Sequence, residues 1–366
     1  MSEMEKNGKE LENLRKEIDN IDNEIINLLN NRAERVIKIG KIKELLNLDV
    51  FQPQRENEII QRIKNKSTIL KNDIIETIWK EIIGACKDLQ GTVSKVGYLG
   101  PQGTFTHQAA LDFFPKTGTD FIGCKTILEI FENIEKDILD FGVIPIENSL
   151  QGTVRETLDL LIEKNLVIYG EIELRIIQNL ISLKHSELSK IKKVYSHPQA
   201  FAQVTAWLKK NLPNAILINM NSTAEAVEKV KVLKDEKNAA IGTEFASKIH
   251  NLKIINSNIE DNPSNFTRFL IISKKENEIK AEKLKTSLVY VVKHIPGALY
   301  RVLKVFSDAN INLTKIESRP RRKGKWEYIF LMDFEGDKDD PKIQQVLDLM
   351  NQNVIWYKIL GSYPFK

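Results

Sequence analysis

From Leu11 the apolar residues recur at Leu11, Leu14, Ile18, Ile21, Ile25 and Leu28, in alternating steps of three and four. That spacing predicts one long amphipathic helix carrying a coiled-coil-like seam. Two further helical stretches follow, at 57–64 and 74–89. A helical segment of roughly 90 residues has little core of its own, so burial of the seam by a second copy is expected. At "GTVSKVGYLG" the period changes, and between 95 and 273 short β-rich runs ("KVGYLG", "FGVIPIEN", "KKVYS", "AAIGTE", "FLIIS") alternate with helical stretches. This is the pattern of an α/β architecture with parallel strands. Thr153 with Glu156 and Ser222 with Glu225 have capping-box spacing, and Pro198 suits a first helical position. After a charged linker, "KKENEIKAEKLK", the remaining elements follow the order βαββαβ, with strands at 286–293, 311–318, 326–334 and 354–362, which is ferredoxin-like.

Length and charge narrow the possibilities. A chain of 366 residues accommodates two to three domains, and the pattern places them at 1–92, 95–273 and 286–366. With 54 basic and 50 acidic side chains the net charge is +4, which gives no general electrostatic basis for binding nucleic acid or an anionic membrane. Functional cations must therefore act singly. Two cysteines, Cys86 and Cys124, make no disulfide framework and fit a reducing compartment. No apolar run approaches membrane-spanning length and the start lacks a signal-peptide apolar region, so a cytoplasmic location is expected. No metal-ligand cluster is evident. No Gly-x-Gly-x-x-Gly follows a strand, and "GYLGPQG" has the wrong spacing for a dinucleotide site.

Two local features carry candidate chemistry. Continuing the helical seam from Leu28 brings Arg32 to a leucine position, with Val36, Ile39 and Lys43 within about 40° on the same face and Lys43 roughly 16 Å further along. Either this is a solvated face with a snorkelling arginine, or an anion occupies the gap between two cations. The second feature is "NPSNFTRFLII", read as a loop at Asn262, Pro263 and Ser264 followed by buried Phe266, Phe269, Ile271 and Ile272. Thr267 and Arg268 interrupt it. Neighbours on a regular strand face opposite sides, so both can enter one cleft only if the strand begins after Arg268.

"LRKEIDNIDNEIINLLNNR", "GKIK", "RENEII" and "EIIGACKDLQ" resemble the all-helical chorismate mutases across residues 10–90. The resemblance implies an intertwined dimer in which Arg15 reaches the partner's site while Arg32, Lys43, Arg55, Glu56, Cys86 and Gln90 line the home site. Gln52 and Cys86 stand where some relatives have aspartate and serine. Chorismate to prephenate is a pericyclic rearrangement that needs no nucleophile, metal or proton shuttle. Arginines would hold the two carboxylates in the compact conformer, Lys43 and Gln90 would stabilise charge on the ether oxygen, and Glu56 would accept the ring hydroxyl's hydrogen bond.

"VGYLGPQGTFTHQAA", "PIENSLQGTV", "SHPQAFAQ", "NSTAEA" and "NFTRF" look like the prephenate dehydratases. That resemblance implies two α/β lobes around a cleft, periplasmic-binding-protein-like, where Thr104, Phe105, Thr106, Glu147, Asn148, Ser149, Gln199, Thr267, Arg268 and Phe269 converge. Prephenate there loses its ring hydroxyl and a carboxylate to give phenylpyruvate, water and carbon dioxide. Arg268 is the expected carboxylate anchor, aided by the helix N-terminus near Thr153. Thr267 is the expected donor to the leaving hydroxyl, with Glu147 the alternative and His107 a weaker one.

"HIPGALYRVL" and "KIESRPRR" resemble the ACT regulatory domains of such enzymes. The implied ligand is phenylalanine, bound by Gly297, Ala298, Leu299, Glu317 and Ser318 across a dimer interface and inhibiting the dehydratase. The resemblance thus implies a multidomain bifunctional enzyme, acting on chorismate and prephenate without a cofactor, as a homodimer or homotetramer. A non-catalytic amino-acid sensor and a preference for arogenate are the alternatives.

Overall fold

Helix α1 (Glu3–Leu45) runs through 43 residues with no proline to break it. α2 (Pro53–Lys64) and α3 (Asn72–Asp88) complete the helical elements of the N-terminal region. The computed structural model describes residues 3–46, 53–91, 93–278, 281, 283–320 and 328–365. Within them the chain divides into two compact units, Met1–Val93 with Pro115–Thr119, and Ser94–Phe114 with Asp120–Lys366.

In the first unit, ion pairs tie α2 to α3: Lys64 bonds Glu76, and Lys87 meets Glu56 at 2.7 Å. Burial opposes ionisation of Glu76, but Lys64 and Lys80 outweigh it and hold the carboxyl down at about 2. The predicted seam of α1 is present and bare in the single chain, with Leu11, Leu14, Ile18, Ile21, Ile25 and Leu28 all exposed, Leu28 at 67%.

In the second unit, β1 (Ser94–Leu99), α4 (Phe105–Phe113), β2 (Thr119–Cys124), α5 (Ile127–Glu135), β3 (Phe141–Asn148), β4 (Gly152–Thr153), α6 (Arg155–Glu163) and β5 (Val167–Arg175) build a first lobe. The chain then crosses into a second lobe, with β6 (Asn179–Ser182), β7 (Lys193–Ser196), α7 (Pro198–Gln203), α8 (Thr205–Asn211), β8 (Ile216–Asn219), α9 (Thr223–Leu233), β9 (Asn238–Gly242), α10 (Glu244–His250) and β10 (Lys253–Asn256). It returns as β11 (Phe266–Ser273), which inserts between β3 and β5. The sheet orders among the described residues are β2-β1-β3-β11-β5, with β4 on β3, and β10-β6-β9-β7-β8. The pairs β1–β3, β7–β8 and β7–β9 are parallel. The expected parallel sheets are mixed, because the returning strand β11 runs antiparallel to both neighbours in the first and β6 to both neighbours in the second.

The two crossings are bonded to each other. Ile176 N–H donates to the Asn265 carbonyl at 2.8 Å, and Arg175 bonds Glu260 at 3.2 Å. Ser222 caps α9 as expected, its hydroxyl accepting from Glu225 N–H at 3.0 Å, and Pro198 opens α7 behind the N-cap His197. Thr153 does not cap α6. Val154 is the N-cap residue, and Thr153 forms β4 with its hydroxyl bonded to Glu317.

The last region is β12 (Leu284–Val291), α11 (Ala298–Asp308), β13 (Leu313–Pro320), β14 (Tyr328–Glu335), α12 (Pro341–Asn351) and β15 (Trp356–Pro364), the expected βαββαβ order in an antiparallel sheet β13-β14-β12-β15. The expected strand start at Trp326 lies outside the described residues. One face of this sheet packs Leu288, Tyr290 and Met332 under Val302, Phe306 and Met350 of the two helices. Its other face puts Val289, Val291, Leu331 and Leu360 into a single core with Ile130, Ile144, Leu158 and Leu270 of the first lobe. The approach is close enough that a Cβ on Gly361, at φ +151°, would meet the Ile168 carbonyl oxygen at 2.3 Å.

Candidate active sites

On α1, the Arg32 guanidinium donates to Cys86 Sγ at 2.5 Å, and Gln90 Nε2 donates to the Val36 carbonyl at 2.8 Å. Gln90 lies over Gly40, where an added Cβ would sit 3.0 Å from its Cγ. The structure therefore brings Arg32, Cys86 and Gln90 together where α1 meets the end of α3. Glu56 is paired with Lys87, and Arg55 is exposed and paired with Glu58 at 3.0 Å. Lys43 is half-buried; Gln52 lies outside the described residues. Arg15 is exposed on α1, about 25 Å of helix away from Arg32, so it cannot share a pocket with Arg32 of its own chain.

In the second unit, β11 starts at Phe266, so the expectation that it begins after Arg268 does not hold, and Phe266 is exposed rather than buried. Thr267 pairs across the ladder with Asn148, and Arg268 with Glu147. Regular alternation separates the two pairs onto opposite faces. On one face Asn148 Nδ2 donates to Thr267 Oγ1 at 2.9 Å and to Asn265 Oδ1 at 2.7 Å. The orientation of that amide is set by the backbone, because Asn148 Oδ1 accepts from Leu150 N–H and Gln151 N–H. Thr267, buried, thus accepts a hydrogen bond, and among the described residues nothing accepts its own proton. Ser149 Oγ bonds Ser264 and Phe266 main chain and pins the loop before β11, while Gln199 Nε2 reaches across from the second lobe to Gln151. Thr104 caps α4, Thr106 is buried and Phe105 half-buried beside it, and Phe269 is a buried core residue.

On the other face Arg268 is committed to protein carboxylates: Asp333 at 2.8 Å, Glu171 at 3.5 Å and Glu147 at 3.7 Å. Burial works against its charge, yet Asp333, then Tyr363 and Glu171, more than offset this and push its pKa up. Arg268 is therefore not placed with Thr267 as an open carboxylate anchor, and Thr153, beside the helix end that was to assist it, is bonded to Glu317. Glu147 accepts from Lys315 Nζ at 2.5 Å.

A chorismate mutase type II family model matches residues 14–91, a prephenate dehydratase model residues 96–277, and an ACT domain model residues 286–348. The bifunctional chorismate mutase/prephenate dehydratase of Aquifex aeolicus is 43% identical over 361 residues, covering 97% of this chain and 98% of its own length. This chain belongs to the bifunctional chorismate mutase/prephenate dehydratase family. Solved structures similar to it include prephenate dehydratase from Arthrobacter aurescens in complex with L-Phe, 31% identical with a TM-score of 0.67, covering 74% of this chain and 90% of that one. Another is GqqA, described as a novel type of quorum quenching acylase, 28% identical with a TM-score of 0.67, covering 74% of this chain and 98% of its own.

The dehydratase histidine His107 stacks on Tyr98 at 4.2 Å and meets Phe245 edge-on at 5.0 Å. Its Nδ1 accepts from Gly103 N–H at 3.2 Å, and burial lowers its pKa to about 4. At neutral pH the ring is uncharged and serves packing between the lobes, not proton delivery. Because the folded pKa lies below the ordinary 6.5, protonation favours the unfolded chain. Stability of this unit is therefore full above pH 6.5 and falls as pH drops toward about 4, by about 3 kcal/mol from this residue. Thermal melts between those limits should lose part of their pH slope in His107→Gln; an unchanged slope would remove His107 from the account.

In the ACT domain, Gly297 takes φ +76° ahead of α11, with Ala298 buried and Leu299 half-buried beside it. Glu317 and Ser318 point to opposite faces of β13. Glu317 faces Thr153 of the dehydratase, and Ser318 is exposed. Sequence reasoning passed over Asn265, whose side chain is buried and whose Nδ2 has no partner among the described residues, although it stands two places before Thr267. It also passed over Lys315, Lys285 and Asp333, whose only signal was a charge inside an otherwise apolar strand.

Proposed function

We propose that the chain converts chorismate to prephenate at a site completed by a second copy, and prephenate to phenylpyruvate in the two-lobed domain, under feedback from phenylalanine at the ACT domain. The domains are assigned as 1–92, 95–273 and 286–366, and a cytoplasmic location suits metabolites of this kind. The observation that carries the dehydratase reading is the hydrogen bond from Asn148 to Thr267. A hydroxyl that accepts from an amide turns its own hydrogen elsewhere, and the accepted bond makes that hydrogen a better donor. Thr267 thus donates to the ring hydroxyl of prephenate as its C–O bond breaks. The electrons of the departing carboxylate's C–C bond move into the ring as carbon dioxide leaves, and the hydroxide, hydrogen-bonded by Thr267, takes up a proton from solvent to leave as water. With Arg268 engaged behind the strand, the retained carboxylate is assigned to the opening turn of α4, whose first N–H groups have no partner inside the helix. Gln199 closes over it from the second lobe.

In the mutase, Arg32 and Lys43 hold and polarise chorismate in the home site, Gln90 turns from Val36 to the ether oxygen, and Arg15 arrives from the second copy. The bare apolar seam of α1 supports that assembly. Replacing Ile21 and Ile25 together by aspartate should give monomers in sedimentation and abolish mutase activity, with dehydration of added prephenate retained. Monomeric variants with full mutase activity would rule out the shared site. For the effector, Gly297, Ala298, Leu299, Glu317 and Ser318 are assigned to phenylalanine, supported by the complex with L-Phe described for the Arthrobacter aurescens relative. One assay tests the whole reading: phenylpyruvate formation from chorismate, with and without phenylalanine. Product that forms and is suppressed by phenylalanine supports it; no product from either chorismate or prephenate rejects it.

A further inference from the structure

The catalytic pair Asn148 and Thr267 lies on one face of the β3–β11 ladder, and the cross-strand pair Glu147 and Arg268 lies on the other. Two of the partners of that second pair come from the ACT domain. Lys315 on β13 donates to Glu147 at 2.5 Å, and Asp333 on β14 accepts from Arg268 at 2.8 Å. Lys315 is 10% exposed and Asp333 1%, against 37% for Glu147 and 16% for Arg268, so the two ACT-domain charges are largely desolvated against partners in another domain. Such pairs add little net binding, because desolvation consumes most of the attraction. The adjoining apolar core already joins the two domains without them. What a pair with one member buried does supply is a fixed position for its partner.

We propose that Lys315 is a positioning residue for the dehydration, a regulatory-domain cation that holds Glu147 and, through the adjoining main chain, sets the Asn148–Thr267 hydrogen bond. Lys315 also lies 3.4 Å from Glu317, two residues along the same strand, and Glu317 bonds Thr153 beside Glu147 on the β3–β4 ladder. A ligand that engages Glu317 therefore competes for the contacts that keep Lys315 on Glu147. This second half rests on the assignment of phenylalanine to the ACT domain.

The test uses the full chain with Lys315→Met, Lys315→Arg, Glu147→Gln, the double variant Lys315→Met with Glu147→Gln, and Lys358→Met. Lys358 crosses the same interface to the carbonyls of Leu161 and Lys164 but touches neither Glu147 nor Arg268, so it reports simple loosening. Lys315→Met should lower kcat for dehydration about tenfold with KM within about twofold, and Lys315→Arg should recover most of it. The double variant should be no slower than Glu147→Gln, while Lys358→Met keeps the wild-type kcat and mutase activity stays constant throughout. Calorimetry should show phenylalanine still binding Lys315→Met without changing its residual rate. The proposal is overturned by a wild-type kcat in Lys315→Met, by losses that multiply in the double variant, or by an equal loss in Lys358→Met. Absence of phenylalanine binding to the wild-type chain would overturn the effector assignment alone, with the kcat comparison still deciding the role of Lys315.

Discussion

Replacing Thr267 with alanine should slow phenylpyruvate formation from prephenate by about 10³-fold while chorismate is consumed at the wild-type rate. Hydroxide is a poor leaving group, and this reaction already has its driving force in aromatisation. The barrier lies in the breaking C–O bond, where one donor acts. Thr267 accepts from Asn148 at 2.9 Å, and among the described residues nothing accepts its own hydrogen, which leaves it to donate to the substrate in the proposed reaction. Thr267→Ser should keep a large part of the rate, since the hydroxyl and its acceptor geometry survive. Glu147→Gln should cost much less than Thr267→Ala, because Glu147 lies on the opposite face and is held by Lys315. Parallel loss of both activities in Thr267→Ala would indicate general unfolding and sink the assignment.

Arg32→Ala should produce the reverse separation, a mutase slower by about 10³-fold and an unaltered dehydratase when prephenate is supplied. Arg32 is already held by Cys86, so in the proposed site it would meet the substrate carboxylate with little reorganisation. Arg32→Lys should restore little, because an ammonium cannot make the paired hydrogen bonds of a planar guanidinium. Cys86→Ser keeps a small acceptor at that position and should lose far less. Rates measured on chorismate and on prephenate separately decide the matter; a mutase that survives Arg32→Ala would place the essential cation elsewhere.

The long helix and its bare seam were legible in the three-and-four spacing, since a repeat that continues over about five turns has no strand equivalent. The βαββαβ order was equally plain in the final region. The direction of β11 was not, because "FLIIS" has the same apolar pattern whether its neighbours run with it or against it. The face of Arg268 was misjudged for a related reason. Adjacency to Thr267 suggested a shared cleft, and only the position of Asp333 and Glu171, distant in the chain, shows which carboxylates the guanidinium meets, its Nε staying buried without a partner among the described residues. Thr153 had the spacing of a cap but sits one residue too early, where the turn after β3 makes it a strand residue. One signal was present and unused. "LVYVV" at 288–292 is apolar without alternation, as a strand buried on both faces should be, and β12 is covered on both.

If phenylalanine acts through the ACT domain as proposed, that double cover limits how such control can be lost. A nonsense mutation before β12 would strip Leu270, Ile272 and Ile144 of the residues that complete their core and would leave Arg268 without Asp333. The shortened chain would be inactive, not deregulated. Strains selected for phenylalanine overproduction should accordingly carry single amino-acid replacements in this gene, clustered on the effector face, and no early stops. A domain that completes the core of the enzyme it is proposed to restrain is open to adjustment only one residue at a time.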